Sequence, residues 1–130
     1  MPRTIRLLHF DDCLHDRERV REALHAENPR LQVNGVNTRA EFEAALRGHA
    51  CDVVLTDLNV FEFRGLEVVD AIRAIKPRVP IVVLTASGSE ELAVEAMKRG
   101  VADYVVKSPE HVAQLPRVIA GALAARNGKS

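Results

Sequence analysis

Neither sign of charge is in excess in this chain: 18 lysines and arginines face 18 aspartates and glutamates. It therefore lacks the long-range positive field on which nucleic-acid binders and anionic-membrane binders rely, and direct nucleic-acid contact is not expected. Cysteine is scarce. Cys13 and Cys51 stand far apart, in no C-x-x-C pair and no secreted disulfide framework, so reduced, buried thiols of a cytoplasmic protein are expected. No apolar run approaches the roughly 20 residues that cross a bilayer, and the start MPRTIRLL has no signal-peptide core, so no membrane insertion is expected. His9, His15, His25, His49 and His111 show no H-x-x-x-H or mixed metal spacing, which argues against zinc. No repeat, linker or low-complexity tract divides the chain. One domain over residues 1–126 is expected, followed by a disordered polar tail over 127–130.

With 47% hydrophobic and 28% charged residues, the composition suits one soluble core. Apolar runs of strand length alternate with stretches of helical period. Strands are predicted at Thr4 to Phe10, Leu31 to Val36, Asp52 to Thr56, Pro80 to Thr85 and Asp103 to Val106. Helices are predicted from Cys13 to Glu27, from a Thr38 cap with Glu41 at the capping-box position to Gly48, from Gly65 to Ile75, and from a Ser89 cap to Arg99, with Gly100 as a left-handed stop. The last helix is harder to start. Pro116 in its second turn would cost about 3 kcal/mol, so a loose turn is expected first and the main helix from about Pro116. Asp52 to Thr56 is continuously apolar after its first residue, which implies burial on both faces, as in a parallel sheet covered by helices. The repeated strand–helix order gives an α/β fold of the flavodoxin-like (βα)5 kind, a three-layer sandwich around a five-stranded parallel sheet. Periodicity alone does not give the strand order.

Five side chains suited to phosphoryl chemistry fall at the ends of these runs: Asp11 and Asp12, Asp57, Thr85, and Lys107. Parallel strands would bring them to one sheet edge, where doubly wound folds place their ligands. Asp11 and Asp12 could simply cap the first helix. Two adjacent carboxylates in a partly dry crevice also repel, which favours a hard divalent cation such as Mg²⁺. Asp57 faces that pair only if the first and third strands are neighbours, and it could then attack phosphorus in line to give an aspartyl phosphate. Thr85 could donate to a phosphoryl oxygen, with Ala86 and Gly88 leaving room, and Lys107 could pair with Asp57 and then with the added charge. Taken singly, each also has a plain reading: a turn residue, a strand end, a surface lysine. Tyr104, on the fifth strand, reads most simply as an amphipathic packing residue.

In combination, the D-D pair after the first strand, the D-x-N of Asp57 to Asn59, Gly65, the T-A of Thr85-Ala86, G-x-x-D-Y at Gly100 to Tyr104, and Lys107 resemble the receiver domain of two-component response regulators, of the chemotaxis-regulator kind. The resemblance covers essentially the full length. It implies the strand order 2-1-3-4-5, and a phosphoryl group taken onto Asp57 from a phosphohistidine on a sensor histidine kinase or phosphotransfer protein. It also implies Mg²⁺ held directly by Asp12, Asp57 and the carbonyl of Asn59, with Asp11 acting mainly through water. Thr85, Ala86 and Lys107 would serve the phosphoryl oxygens. Tyr104 would turn inward on activation and alter the surface of the fourth helix, fifth strand and fifth helix for an output domain or protein. Such a domain catalyses only its own phosphorylation and dephosphorylation.

Some residues depart from that pattern. Phe61 stands where Pro is common, which predicts a less preset and more apolar loop at the crevice rim. His9 lies in a strand that is usually aliphatic, Val101 replaces a common Ala, and KSPEHVAQLP differs from the usual K-P. That ending is similar to receivers attached to larger signalling proteins, so the chain is expected to be a stand-alone or an excised receiver. The alternative function is a phosphorylation-independent interaction module on the same fold. A Mg²⁺-dependent phosphatase would need a second acid after the nucleophile, where Asn59 stands. A flavin carrier would need Gly, Ser or Thr in place of Asp11 and Asp12.

Overall fold

The computed structural model describes residues 4–48, 50–86 and 88–128, with side chains to residue 125. Five strands and five helices alternate: β1 (Ile5–Phe10), α1 (Leu14–Glu27), β2 (Leu31–Val36), α2 (Arg39–Gly48), β3 (Val53–Thr56), α3 (Glu67–Ile75), β4 (Ile81–Thr85), α4 (Glu90–Lys98), β5 (Asp103–Val106) and α5 (Pro109–Gly128). The strands are parallel in the order β2-β1-β3-β4-β5.

Strand alternation divides the core into two halves. Leu8 and Phe10 of β1, Val54 of β3, and Ile81 and Val83 of β4 face α2, α3 and α4, where they meet Phe42, Leu46, Val69, Ile72 and Ala96. Leu7, Val53, Leu55, Val82 and Leu84 face the other way, onto Val20 and Leu24 of α1 and Leu115, Ile119 and Ala122 of α5. Because β1, β3 and β4 bury side chains on both faces, their sequences are apolar without alternation. Two residues interrupt β1, the exposed Arg6 and His9, which is fully buried.

Local signals set most helix ends. Thr38 Oγ1 accepts the Glu41 N–H at 3.1 Å, while Glu41 Oε1 accepts from Asn37 at 3.2 Å, one residue earlier than in the usual capping box. Ser89 Oγ accepts from Leu92 at 3.1 Å, and Gly100, at φ +82°, ends α4 as expected of a residue with no Cβ to strain. The third helix begins at Glu67 and not at Gly65, which lies before it in the left-handed region at φ +56°. Cys13 corrects the expectation of two buried thiols. It stands exposed in extended backbone before α1, whereas the half-buried Cys51 donates its thiol to the Val53 carbonyl at 3.3 Å, and burial pushes that thiol up.

Helix α5 departs most from the sequence reading. It is continuous from Pro109, with Pro116 inside it and no loose first turn. Two groups of contacts anchor the turns ahead of Pro116. Ser108 Oγ accepts the His111 N–H at 3.1 Å and the Ser108 carbonyl accepts from Val112 at 2.9 Å, while Leu115 is fully buried against β3, β4 and α1. Deleting such a leucine costs about 2–5 kcal/mol, enough to outweigh the proline penalty. The disordered-tail expectation falls partly outside the described residues; the backbone is helical to Gly128.

Replacing Pro116 by Ala should restore one helical hydrogen bond and stabilise the protein by about 1–2 kcal/mol, after allowance for the looser unfolded chain. Chemical denaturation measures this. A loss of stability would mean that the proline ring packs better than the helix geometry implies.

Candidate functional site

Parallel pairing carries the carboxyl ends of β1, β3, β4 and β5 to one edge. Phe10 pairs with Thr56, Thr56 with Val83, and Thr85 with Val106, so the residues that follow each strand meet there. The backbone continues the ladder past the strands: Asp57 N–H donates to the Phe10 carbonyl at 2.9 Å and Lys107 N–H to the Thr85 carbonyl at 2.8 Å.

At the centre lies the Lys107 ammonium. It donates to Asp11 Oδ2 at 2.8 Å, Asp16 Oδ2 at 2.7 Å and Asp57 Oδ2 at 2.8 Å. An ammonium has three N–H groups, and each has a carboxylate. Burial alone would discourage the charged ammonium, but the bonds to Asp11, Asp16 and Asp57 outweigh it and hold its pKa above the ordinary lysine range. The same ammonium keeps the Asp16 carboxyl below its usual range.

The three acids differ in what else they do. Asp11 is 1% exposed and held at both oxygens, because its Oδ1 accepts the Cys13 N–H at 2.9 Å. That bond ties Asp11 to the residue ahead of α1, while its other oxygen holds Lys107. Asp57 is 21% exposed, with Oδ1 accepting the Leu58 N–H at 2.7 Å. Asp16, on the first turn of α1, is 30% exposed. Asp12 is exposed beside Asp11.

The other candidate residues sit in the loop after β3 and on or just after β4 and β5. Asn59 adopts φ +29° and its Oδ1 accepts from Gly65 N–H at 3.0 Å, closing the loop after β3. Phe61 does not line the crevice rim. It is 6% exposed and its ring packs on two other phenylalanines, 6.1 Å from Phe10 and 5.9 Å from Phe42 between ring centres, while Phe63 lies 5.3 Å from Phe42. That burial offsets the strain of its left-handed backbone at φ +54°. Thr85 closes β4 and is buried, and Ala86 follows it exposed. Tyr104 is half-buried against the α4 side of the core, and its buried hydroxyl meets no hydrogen-bond partner among the described residues. Gly88 leaves the space this needs: a Cβ there would lie 2.6 Å from Val106 Cγ2 and 3.5 Å from the Tyr104 ring.

Asp11, Asp12, Asp57, Thr85 and Lys107 thus lie at or beside one sheet edge, with Tyr104 inside β5 and Gly100 at the opposite end of that strand, and one acid of the cluster was missed. Asp16 carried no signal. It sits in a charged helical segment, where an aspartate reads as a solvated first-turn residue.

Among the described residues, no group of three His, Cys, Asp or Glu side chains converges as a ready metal cage. The acids close around Lys107 instead. Mg²⁺ needs no such cage, since it keeps several waters and takes one or two carboxylates. The donors here are hard oxygens, and the carboxylates of Asp11, Asp12, Asp16 and Asp57 outnumber the cations of Lys107 and of Arg17, which donates to the Asp11 carbonyl at 2.7 Å. The residues therefore fit a divalent cation.

Comparison with known proteins bears on the family and the fold. The family profile described as "Response regulator receiver domain" matches residues 7–119. Regulatory protein LuxO of Vibrio vulnificus is 36% identical over 80 residues, 62% of this chain and 18% of that protein. Transcriptional regulatory protein ZraR of Salmonella typhimurium is 41% identical over 64 residues, 49% of this chain and 14% of that protein. The match thus spans less than a fifth of these curated relatives. The solved signal receiver domain of a LuxO repressor protein from Vibrio parahaemolyticus superposes with TM-score 0.85 at 21% identity, covering 98% of this chain and 95% of that one, which speaks to the fold.

His9 yields a test of the electrostatics beneath the site. Burial, then the positive charges of Lys107 and Arg17, lower its pKa to about 4. Its ring nitrogens make no hydrogen bond to any described residue, and Nε2 stays 3.8 Å from Asp11 Oδ2. The unfolded chain therefore binds the extra proton first, so stability is full above about pH 6.5 and falls as pH drops toward 4, by about 3 kcal/mol for this group. His9→Leu should flatten that slope relative to the parent in denaturation at pH 4 to 7; parallel curves would contradict it.

Proposed function

Because the chain belongs to the response regulator receiver domain family, we propose that it takes a phosphoryl group onto Asp57 from a phosphohistidine on a sensor histidine kinase or phosphotransfer protein. The observation that carries this reading is the 2.8 Å bond from Lys107 to Asp57, an acid that solvent reaches, while Asp11 is sealed and pinned at both oxygens. Only a reachable carboxylate can meet a donor, and of the two that are reachable and bonded to Lys107, Asp57 follows β3, next to the β4 that Thr85 closes, while Asp16 lies on α1.

An oxygen of the Asp57 carboxylate attacks phosphorus in line. The new O–P bond forms as the N–P bond breaks, and the imidazole of the donor departs. The Leu58 N–H orients the Asp57 carboxylate, and the Lys107 ammonium and Thr85 hydroxyl hold the phosphoryl oxygens. Mg²⁺, held by Asp12, Asp57 and the Asn59 carbonyl with Asp11 acting through water, would supply further neutralisation of those oxygens. The added charge biases a two-state equilibrium in which Thr85 and Tyr104 shift and α4, β5 and α5 present a changed surface. The exposed Val94, Met97 and Val106 lie on this face, which suits an output domain or protein. ZraR is named a transcriptional regulatory protein, which suggests a transcriptional output; the charge balance of this chain argues against its touching nucleic acid itself. None of the described helices is long and apolar enough to cross a membrane; the cytoplasmic setting is proposed from membership of the receiver family.

Incubation with Mg²⁺ and acetyl phosphate should add one phosphoryl group by intact mass. Asp57→Asn should abolish the adduct, and Lys107→Ala should reduce its formation at least about tenfold, the scale of a lost electrostatic contact to the reacting group. Omission of Mg²⁺ should do the same. A parent chain that takes no phosphoryl group would favour the phosphorylation-independent interaction module.

A further inference from the structure

All three N–H groups of Lys107 are engaged before any phosphoryl group arrives, and the partners are not equally easy to leave. Asp11, at 1% exposure, cannot lose the ammonium without becoming a sealed, unpaired charge. Asp57 is the acceptor, so its share passes to the phosphoryl group it carries. Asp16 is 30% exposed and borders a cleft of about 140 Å³ between Arg19, Leu84, Pro109 and Val112, where water can take the place of the lysine. Its carboxylate is the one that can be released at small cost.

Resting on the phosphoacceptor reading above, we infer that Asp16 is a positioning residue that competes with the phosphoryl group for Lys107, and so lowers the occupancy and lifetime of the aspartyl phosphate. Two effects share this sign. In the unmodified protein Asp16 stabilises the ammonium where it stands, which favours the resting state. In the modified protein its negative charge remains beside the same nitrogen as the phosphoryl oxygens, which raises the energy of that state. Removing the charge relieves both. No covalent step involves Asp16.

The test compares the parent with Asp16→Asn, Asp16→Ala and Asp16→Glu in Mg²⁺ and acetyl phosphate. The ratio of modified to unmodified chain is read by intact mass, and the decay is followed after the donor is removed. Asn and Ala should raise the ratio about threefold, the scale of a partly exposed ion pair, and slow the decay in proportion. Glu, which keeps the charge, should return both toward the parent. Titration with Mg²⁺ and beryllofluoride, read by backbone amide NMR, should give the same ranking without turnover. A merely structural role predicts the opposite sign, because loosening Lys107 would lower occupancy. An unchanged or lower ratio in Asp16→Asn, with the parent phosphorylated normally, overturns this inference and leaves the function standing; a parent that takes no phosphoryl group overturns both.

Discussion

A single ammonium ion with three carboxylates around it is the constraint on which the site depends. Lys107 sits at the end of β5, Asp11 at the end of β1, Asp57 at the end of β3 and Asp16 on α1, so the cluster closes only if all four elements are in register. An ammonium placed among these acids raises its own pKa and lowers that of Asp16, so each charge makes the other cheaper to keep out of water. Acids still outnumber cations around it. The remaining negative charge suits a hard dication, which would offset the repulsion between these carboxylates and any anionic group brought beside them.

The apolar core supplies the rigidity this arrangement needs. Because β1 lies between β2 and β3, the acids at its end face Asp57, and the bonds that extend the ladder to Asp57 and Lys107 continue the sheet into the site. Each face is sealed by a different set of helices, α2 to α4 on one side and α1 with α5 on the other. Positions that break local rules are held by packing elsewhere. Pro116 is carried within α5 by Leu115 and the Ser108 cap, and the left-handed backbone at Phe61 by its aromatic neighbours. His9 is a cost left in place, a buried imidazole kept neutral beneath a cluster of charges.

Much of this was legible in the residues. The continuous apolar runs of β3 and β4 declare burial on both faces, and the polar residue after each run marks the edge where ligands gather. The strand order was not legible from periodicity, which reports faces and not neighbours; it came from the family resemblance. Asp16 escaped notice because a helix is read by its apolar stripe, and an acid on its first turn satisfies the dipole rule with nothing left to explain. Pro116 misled for the complementary reason. A local penalty of about 3 kcal/mol is visible in sequence, but the tertiary burial that outweighs it is not. Phe61 was placed by loop position alone, and its ring instead packs on Phe10 and Phe42. Cys13 was placed by residue type alone, and stands exposed.

The most direct measurement is a Mg²⁺ titration followed by backbone amide NMR on the intact chain. The account requires saturable shifts centred on Asp11 to Cys13, Asp57 to Asn59 and Lys107, since these segments share one electronegative edge of the sheet. Shifts that do not saturate, or that centre on the opposite edge near Arg78 and Gly100, would contradict it.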